Sequence, residues 1–173
     1  MKWRYLSKLW RHKPAIVFYG RELSFGELDD LSERFAALLM QRGVTRGDRV
    51  AVFMPNCPQF LVAFYGILKL GAVHVPVNPL FKLEEVLYEL KDSGAQVLLA
   101  LDQLHGVARA AKAAGAVRYV GITTSEGRRH DLVERIMRSE PVDFVQLSYN
   151  IVVREAEVRL LPRAAERGIA GDG

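Results

Sequence analysis

From residue 50 to residue 147 the chain alternates short apolar runs with amphipathic stretches, and this alternation restricts its possible folds more than any other feature. VAVFMP (50–55), VHVPV (73–77), VLLA (97–100), VRYVGI (117–122) and DFVQL (143–147) are too short for stable helices and are bounded by polar, Gly or Pro residues. Such runs read as buried strands, and Pro76 places 73–77 at a strand end or a sheet edge. The intervening segments have helical spacing. Residues 58–70 carry Phe60, Leu61, Val62, Phe64, Ile67 and Leu68 around most of the circumference, so that helix needs neighbours on more than one side. Leu83, Val86, Leu87 and Leu90 form one face of the next helix, which Ser93-Gly94 ends. Residues 103–114 and 128–139 complete the series, the latter with Asp131/Arg135 and Glu134/Arg138 spaced for surface ion pairs. Strand–helix–strand repetition dictates right-handed crossovers. The expected class is therefore α/β, a mostly parallel open sheet with helices on both faces.

The flanks extend the pattern. Residues 3–12 suit a short helix ended by Pro14, and 15–25 suit two strands about a Gly20-Arg21 turn. Ser24 with Glu27 forms a capping box for a helix whose Leu28, Leu31, Phe35, Leu38 and Leu39 share one face, with Gly43 as its stop. Residues 154–167 are helical, with Pro162 expected to split them, and Ile169-Ala170 begins a further strand.

Composition excludes several functions. The formal charge is +4, yet basic and acidic residues are interspersed, 13 against 11 in 1–104 and 11 against 9 in 105–173. No one-signed block points to nucleic acid or to an anionic membrane. The basic start MKWRYLSKLWRHKP lacks the continuous apolar core of a signal peptide. FLVAFYGILKLGAVHVPV is interrupted by Lys69, His74 and Pro76, so no membrane span is expected and the expected location is cytoplasmic. Cys57 is the single cysteine and reads as a buried, idle thiol. His12, His74, His105 and His130 show no ligand spacing, so no metal site is expected. Asn56 and Asn78 each follow an apolar strand and precede a proline or its neighbour; they could border a ligand crevice or simply form turns.

Three stretches resemble the start of the large domain of the AMP-forming acyl-CoA synthetases, the AMP-binding ligases: HKPAIVFYGRELSFGELDDLSERFAALLMQRGV, GDRVAVFMPNCPQFLVAFYGILKLGAVHVPVNPLF and EEVLYELKDSGAQVLL. The likeness covers about residues 11–104, and its wording is similar to that of fatty-acyl-CoA ligases. It implies chemistry in which ATP and a carboxylate give an acyl-adenylate that CoA then attacks. ATP, Mg and CoA belong to the complete ligase. The family's Ser/Thr/Gly-rich phosphate loop has no counterpart in this text, and Gly43 to Gly47 reads as a turn.

From about residue 110 to 170, AGAVRYVGITTSEGRRHDLVERIMRSEPVDFVQLSYNIVVREAEVRLLPRAAERGIA resembles a late segment of the aldo/keto reductases, TIM-barrel enzymes that use NADPH or NADH. That resemblance puts Thr123 and Thr124 where the family holds the nicotinamide carboxamide with a Ser-Asn pair, and Gln146 at a further carboxamide position. Thr124 could instead cap the following helix, and Gln146 could satisfy backbone groups. The family's catalytic residues come from earlier strands, so no catalytic residue is expected here. Tyr149 and Asn150 receive no role.

Taken together, the text suggests a hybrid of incomplete parent domains, 1–104 ligase-like and 105–173 reductase-like, packed as one unit with a seam near 104–116. The expected function is a ligase-derived fragment inactive by itself and needing no cofactor. The alternatives are a reductase-like module with weak NADP(H) affinity, or an interaction protein that self-associates through an exposed sheet edge or the apolar helix 58–70.

Overall fold

A computed structural model describes residues 7–124, 130–147 and 155–172. Residues 7–9 are helical and 10–12 are turn, so the helix expected at 3–12 stops at residue 9, while residues 3–6 lie outside the described residues. A small hairpin follows, β1 (Pro14–Phe18) and β2 (Arg21–Ser24), paired antiparallel. Tyr19 and Gly20 turn it with φ of 47° and 76°. Two successive positive φ angles give the twist that a tight hairpin requires.

Ser24 then caps helix α1 (Phe25–Gln41). Its hydroxyl accepts from the Glu27 N–H at 3.2 Å, while Glu27 Oε2 accepts from the Ser24 N–H at 2.9 Å. Two otherwise orphaned amide donors are thereby satisfied. The expected apolar stripe is the buried side: Leu28, Phe35, Leu38 and Leu39 are all nearly inaccessible.

The main sheet has six parallel strands in the order β4-β3-β5-β6-β7-β8. These are β3 (Arg49–Phe53), β4 (Val73–Val77), β5 (Val97–Leu101), β6 (Tyr119–Thr123), β7 (Phe144–Gln146) and β8 (Ala170–Asp172). Between them run α2 (Pro58–Leu70), α3 (Leu83–Ser93), a 3₁₀ turn (Asp102–Leu104) with α4 (His105–Ala113), α5 (His130–Ser139) and α6 (Glu155–Glu166). Alternate residues of each strand face opposite sides. Val50, Val52, Val97 and Leu99 pack with α1 and α2, whereas Ala51, Phe53, Leu98 and Ala100 pack with α3 and α4. Helices thus cover both faces, as the sequence pattern requires. A smaller cluster joins Val133, Met137, Val145, Leu160 and Ala164 at the β7 end.

Close approach of α1 to α2 depends on Gly66, where a Cβ would meet Phe35 Cδ1 at 2.8 Å and the Ser32 carbonyl at 2.9 Å. Lys69 closes the same contact, its ammonium 2.7 Å from Asp29 Oδ1. Helices α2 and α3 end at Gly71 and Gly94, each in the left-handed conformation that glycine adopts without penalty.

Two local expectations need correction. Helix α6 runs through Pro162 instead of splitting there. Proline removes one donor and crowds the preceding turn, but Leu160 and Ala164 on either side are buried in the β7 cluster and hold the helix together. In α5, Arg138 pairs with Glu134 at 2.5 Å as the spacing indicates, whereas Arg135 Nε donates to the Asp131 carbonyl at 3.4 Å.

Strand β4 forms one edge of the sheet. The Val73 N–H donates to the Asp48 carbonyl at 2.8 Å, so the groups of His74 and Pro76 face outward. Pro76 has no N–H, which leaves His74 as the outward donor and makes this edge a poor template for strand addition. Among the described residues no helix is long and apolar enough to cross a membrane.

Candidate functional site

Strand order decides where a ligand could sit. The chain leaves β3 through α2 to reach β4 on one side, then crosses through α3 to β5 on the other. The segments following β3 and β5 therefore diverge to opposite faces of the sheet: α2 packs with Val50 and Val52, α4 with Leu98 and Ala100. In open parallel sheets the crevice at such a switch point, outside the carboxyl ends of the strands, is the usual binding place.

The β3 side of this crevice is Met54-Pro55-Asn56-Cys57, and the β5 side begins with Asp102. Pro55 and Asn56 are exposed, whereas Asp102 is fully buried. Asp102 Oδ1 accepts from the Gln103 N–H at 2.8 Å, and the Asp102 carbonyl lies 2.8 Å from His105 Nδ1. This carboxylate at the head of the turn was not singled out by sequence. Its signal was present in VLLAL-Asp102, a charged group following an uninterrupted apolar strand.

Cys57 stands at the N-cap of α2 with its Sγ 4.0 Å from Met54 Sδ. Burial raises its pKa, against smaller opposing effects from the Phe60 and Gln59 backbone N–H groups. It stays a protonated thiol without the activation a nucleophile needs. Asn78 is a turn former: its Oδ1 accepts from the Leu80 N–H at 3.0 Å.

Thr123, Thr124 and Gln146 lie further along the same edge, and all three are buried. Thr123 is in register with Leu101 of β5 on one side and Gln146 of β7 on the other. Thr123 Oγ1 and Gln146 Oε1 have no hydrogen-bond partner. The capping alternative for Thr124 falls on residues 125–129, which lie outside the described residues, as do Tyr149 and Asn150.

Chemically the crevice offers neutral hydrogen-bonding groups and one buried carboxylate. Among the described residues that directly follow β3, β5, β6 and β7 there is no Lys or Arg. Phosphate recognition favours clustered N–H donors and cations. No group of three His, Cys, Asp or Glu suited to a metal ion is found among the described residues.

The AMP-binding enzyme family matches residues 6–155. A long-chain-fatty-acid–CoA ligase of Bacillus subtilis (strain 168) is 39% identical over 112 residues, which are 65% of this chain and 20% of that protein. A long-chain-fatty-acid–CoA ligase of Salmonella typhimurium (strain LT2) is 44% identical over 88 residues, 50% of this chain and 16% of that protein. The crystal structure of a benzoate CoA ligase from Burkholderia xenovorans LB400 superposes with a TM-score of 0.65 at 25% identity, covering 82% of this chain and 28% of that one. The chain spans about a fifth or less of the length of these two curated relatives.

These matches overturn the expected reductase segment. The family match passes unbroken through residues 104–116, where a seam was expected, and continues to 155. In the sheet, β6 adds to β5 over five registered pairs without interruption. Short βα units of any parallel sheet share one apolar strand and one amphipathic helix per repeat, so local wording separates such families poorly. The nicotinamide role that Thr123, Thr124 and Gln146 took from the reductase resemblance, and NADP(H) with it, loses its basis. With a family match over most of its length, the chain belongs to the AMP-binding enzyme family.

Proposed function

We propose that this chain is an N-terminal α/β segment of a ligase-family catalytic domain and that it does not form acyl-adenylates by itself. The supporting observation is the crevice between β3 and β5, where Asp102 is buried and no described neighbouring residue is a cation. A buried carboxylate opposes a polyphosphate unless metal or cationic groups offset it. In a complete ligase the segment would build one wall of the domain that activates a carboxylic acid. The long-chain-fatty-acid–CoA ligases among its relatives support a fatty acid and CoA as substrates of the whole enzyme, and membership of the AMP-binding family supports ATP and Mg as its co-reactants.

The test is ATP–pyrophosphate exchange by the purified chain with Mg and a long-chain fatty acid, on a sample shown by a cooperative melt to be folded. The expected result is exchange no faster than in a protein-free blank. Fatty-acid-dependent exchange that tracks the protein through purification would overturn the proposal.

A second reading, self-association, is favoured by one surface. Leu68 is about half exposed on α2, one and two helical turns from the partly buried Phe64 and Phe60. Because Pro76 blunts the β4 edge, contact here would use side chains of α2 more than strand pairing. Sedimentation across a hundredfold concentration range distinguishes a monomer from a dimer. A Leu68→Glu change abolishes any dimer built on this face.

A further inference from the structure

We propose that Thr123 Oγ1 and Gln146 Oε1 together bind one neutral hydroxylic molecule, a structural water, between β6 and β7. The two residues are register partners on neighbouring parallel strands, which lie about 4.8 Å apart. Both point to the α1/α2 side of the sheet. Thr123 has the parity of Tyr119 and Gln146 that of Phe144, and both aromatic residues pack in the cluster on that side.

The described surroundings are apolar. One rung below, the Phe144 ring occupies the space that a Cβ on Gly121 would need, which gives the pair a closed floor. On the β5 flank the register partner of Thr123 is Leu101, a buried member of the same cluster. Thr123 is fully buried and Gln146 is 3% exposed, and neither of the two oxygens has a partner. Unpaired polar atoms in an apolar setting are costly, and two on adjacent strands are an uncommon coincidence.

The chemistry of the two atoms selects the occupant. The amide oxygen of Gln146 accepts only, while the Thr123 hydroxyl can donate or accept. An anion would leave the Gln146 amide oxygen unpaired and facing negative charge, so a neutral donor fits the pair better. A single O–H group that donates to Gln146 and accepts from Thr123 satisfies both, and water adds a second donor. Such a molecule bridges β6 to β7 where β7 has only three residues of ladder.

The test is a double-mutant cycle in urea with Thr123→Val, Gln146→Met and the pair together, read beside a crystal structure of the unaltered protein. Each single change strands the bridging molecule, so each should raise the unfolding equilibrium constant roughly tenfold. The double change removes both anchors and should cost less than the two singles combined. Electron density for a water within hydrogen-bonding distance of both oxygens is the matching crystallographic result. Single changes that stabilise the protein additively would show a dry pair and overturn the proposal, as would a well-ordered map with no density between the two atoms.

Discussion

The two ends of the sheet are built differently. Strands β3, β4 and β5 are five residues long; β3 and β5 contribute side chains to apolar clusters on both faces, and β4 contributes Val75 and Val77 to one of them. Strands β7 and β8 have three residues each, and Val145 of β7 with Ile169 just before β8 joins a much smaller cluster with α5 and α6. They also carry the unpartnered Gln146 at a strand end. The β3 end is held by contiguous apolar burial, each large side chain contributing about 1.5–3 kcal/mol. The β7 end relies on individual anchors to the rest: Phe144, which reaches into the α1/α2 cluster, and Asp143, which meets Lys112 of α4. Stability of the second region is thus borrowed from the first.

The strongest test of that dependence is Phe35→Ala. Phe35 is fully buried, lies against Gly66 of α2, and has its ring 6.3 Å from that of Phe144. Truncating a buried Phe costs about 4 kcal/mol through lost transfer energy and the cavity left behind. A fall of that size in the urea unfolding free energy, with amide protection in β7 lost alongside that in α1, is expected. Loss of less than about 1 kcal/mol would break the picture of a dominant first core.

Gly121→Ala probes the same anchor from the other side. The new methyl would collide with the Phe144 ring, and the ring is pinned between β6 and Phe35. Overpacking of this kind costs about 3 kcal/mol. Hydrogen exchange should show the loss concentrated in β6 and β7, with β3 and β4 keeping their protection until global unfolding.

Asp143→Ala removes a polar anchor. Asp143 Oδ2 accepts from the Val120 N–H at 2.7 Å and from Lys112 Nζ at 2.5 Å, and Lys112 also reaches the Pro141 carbonyl at 3.3 Å. Stranding a partly buried amide donor costs about 2 kcal/mol. Asp143→Asn keeps an acceptor for Val120 and should recover about half of that in thermal melts. Equal losses for the two variants would assign the effect to the Lys112 ion pair instead.

How much of this could be read from the sequence differs between the same two ends. The capping box at Ser24, the limits of α2 and β4, and the Gly94 stop all follow from local chemistry and fall where the residues indicate. The α/β class followed from periodicity. Strand order did not, because nothing in the β3 or β5 text specifies which strands become neighbours. Asp102 left a local signal, a charge after an apolar strand, but its place at a switch-point crevice depends on strand order and was not legible. At the β7 end, wording suggested a second family because a βα repeat is nearly the same object in many folds. Thr123 and Gln146 were singled out through that resemblance; their adjacency and their lack of partners are facts of register alone.

The smallest expected effect concerns His74, on the edge strand of the stronger region. Its ring lies 5.3 Å from that of Phe60 and 5.1 Å from that of Phe64, and its Nε2 is buried without a partner. Burial holds its pKa below the ordinary histidine value. The unfolded chain, with a pKa of about 6.5, therefore takes up a proton that the folded protein resists. This contribution to stability is present above about pH 6.5 and is lost as pH falls towards the depressed folded value, below which it levels off. Urea midpoints measured from about pH 7.5 down to about pH 5 should fall more steeply for the natural protein than for His74→Phe, because the other titrating groups are common to both. Parallel curves would mean that His74 takes up its proton in place, and that the Phe60–Phe64 face is wetter and more open than the β3 core it borders.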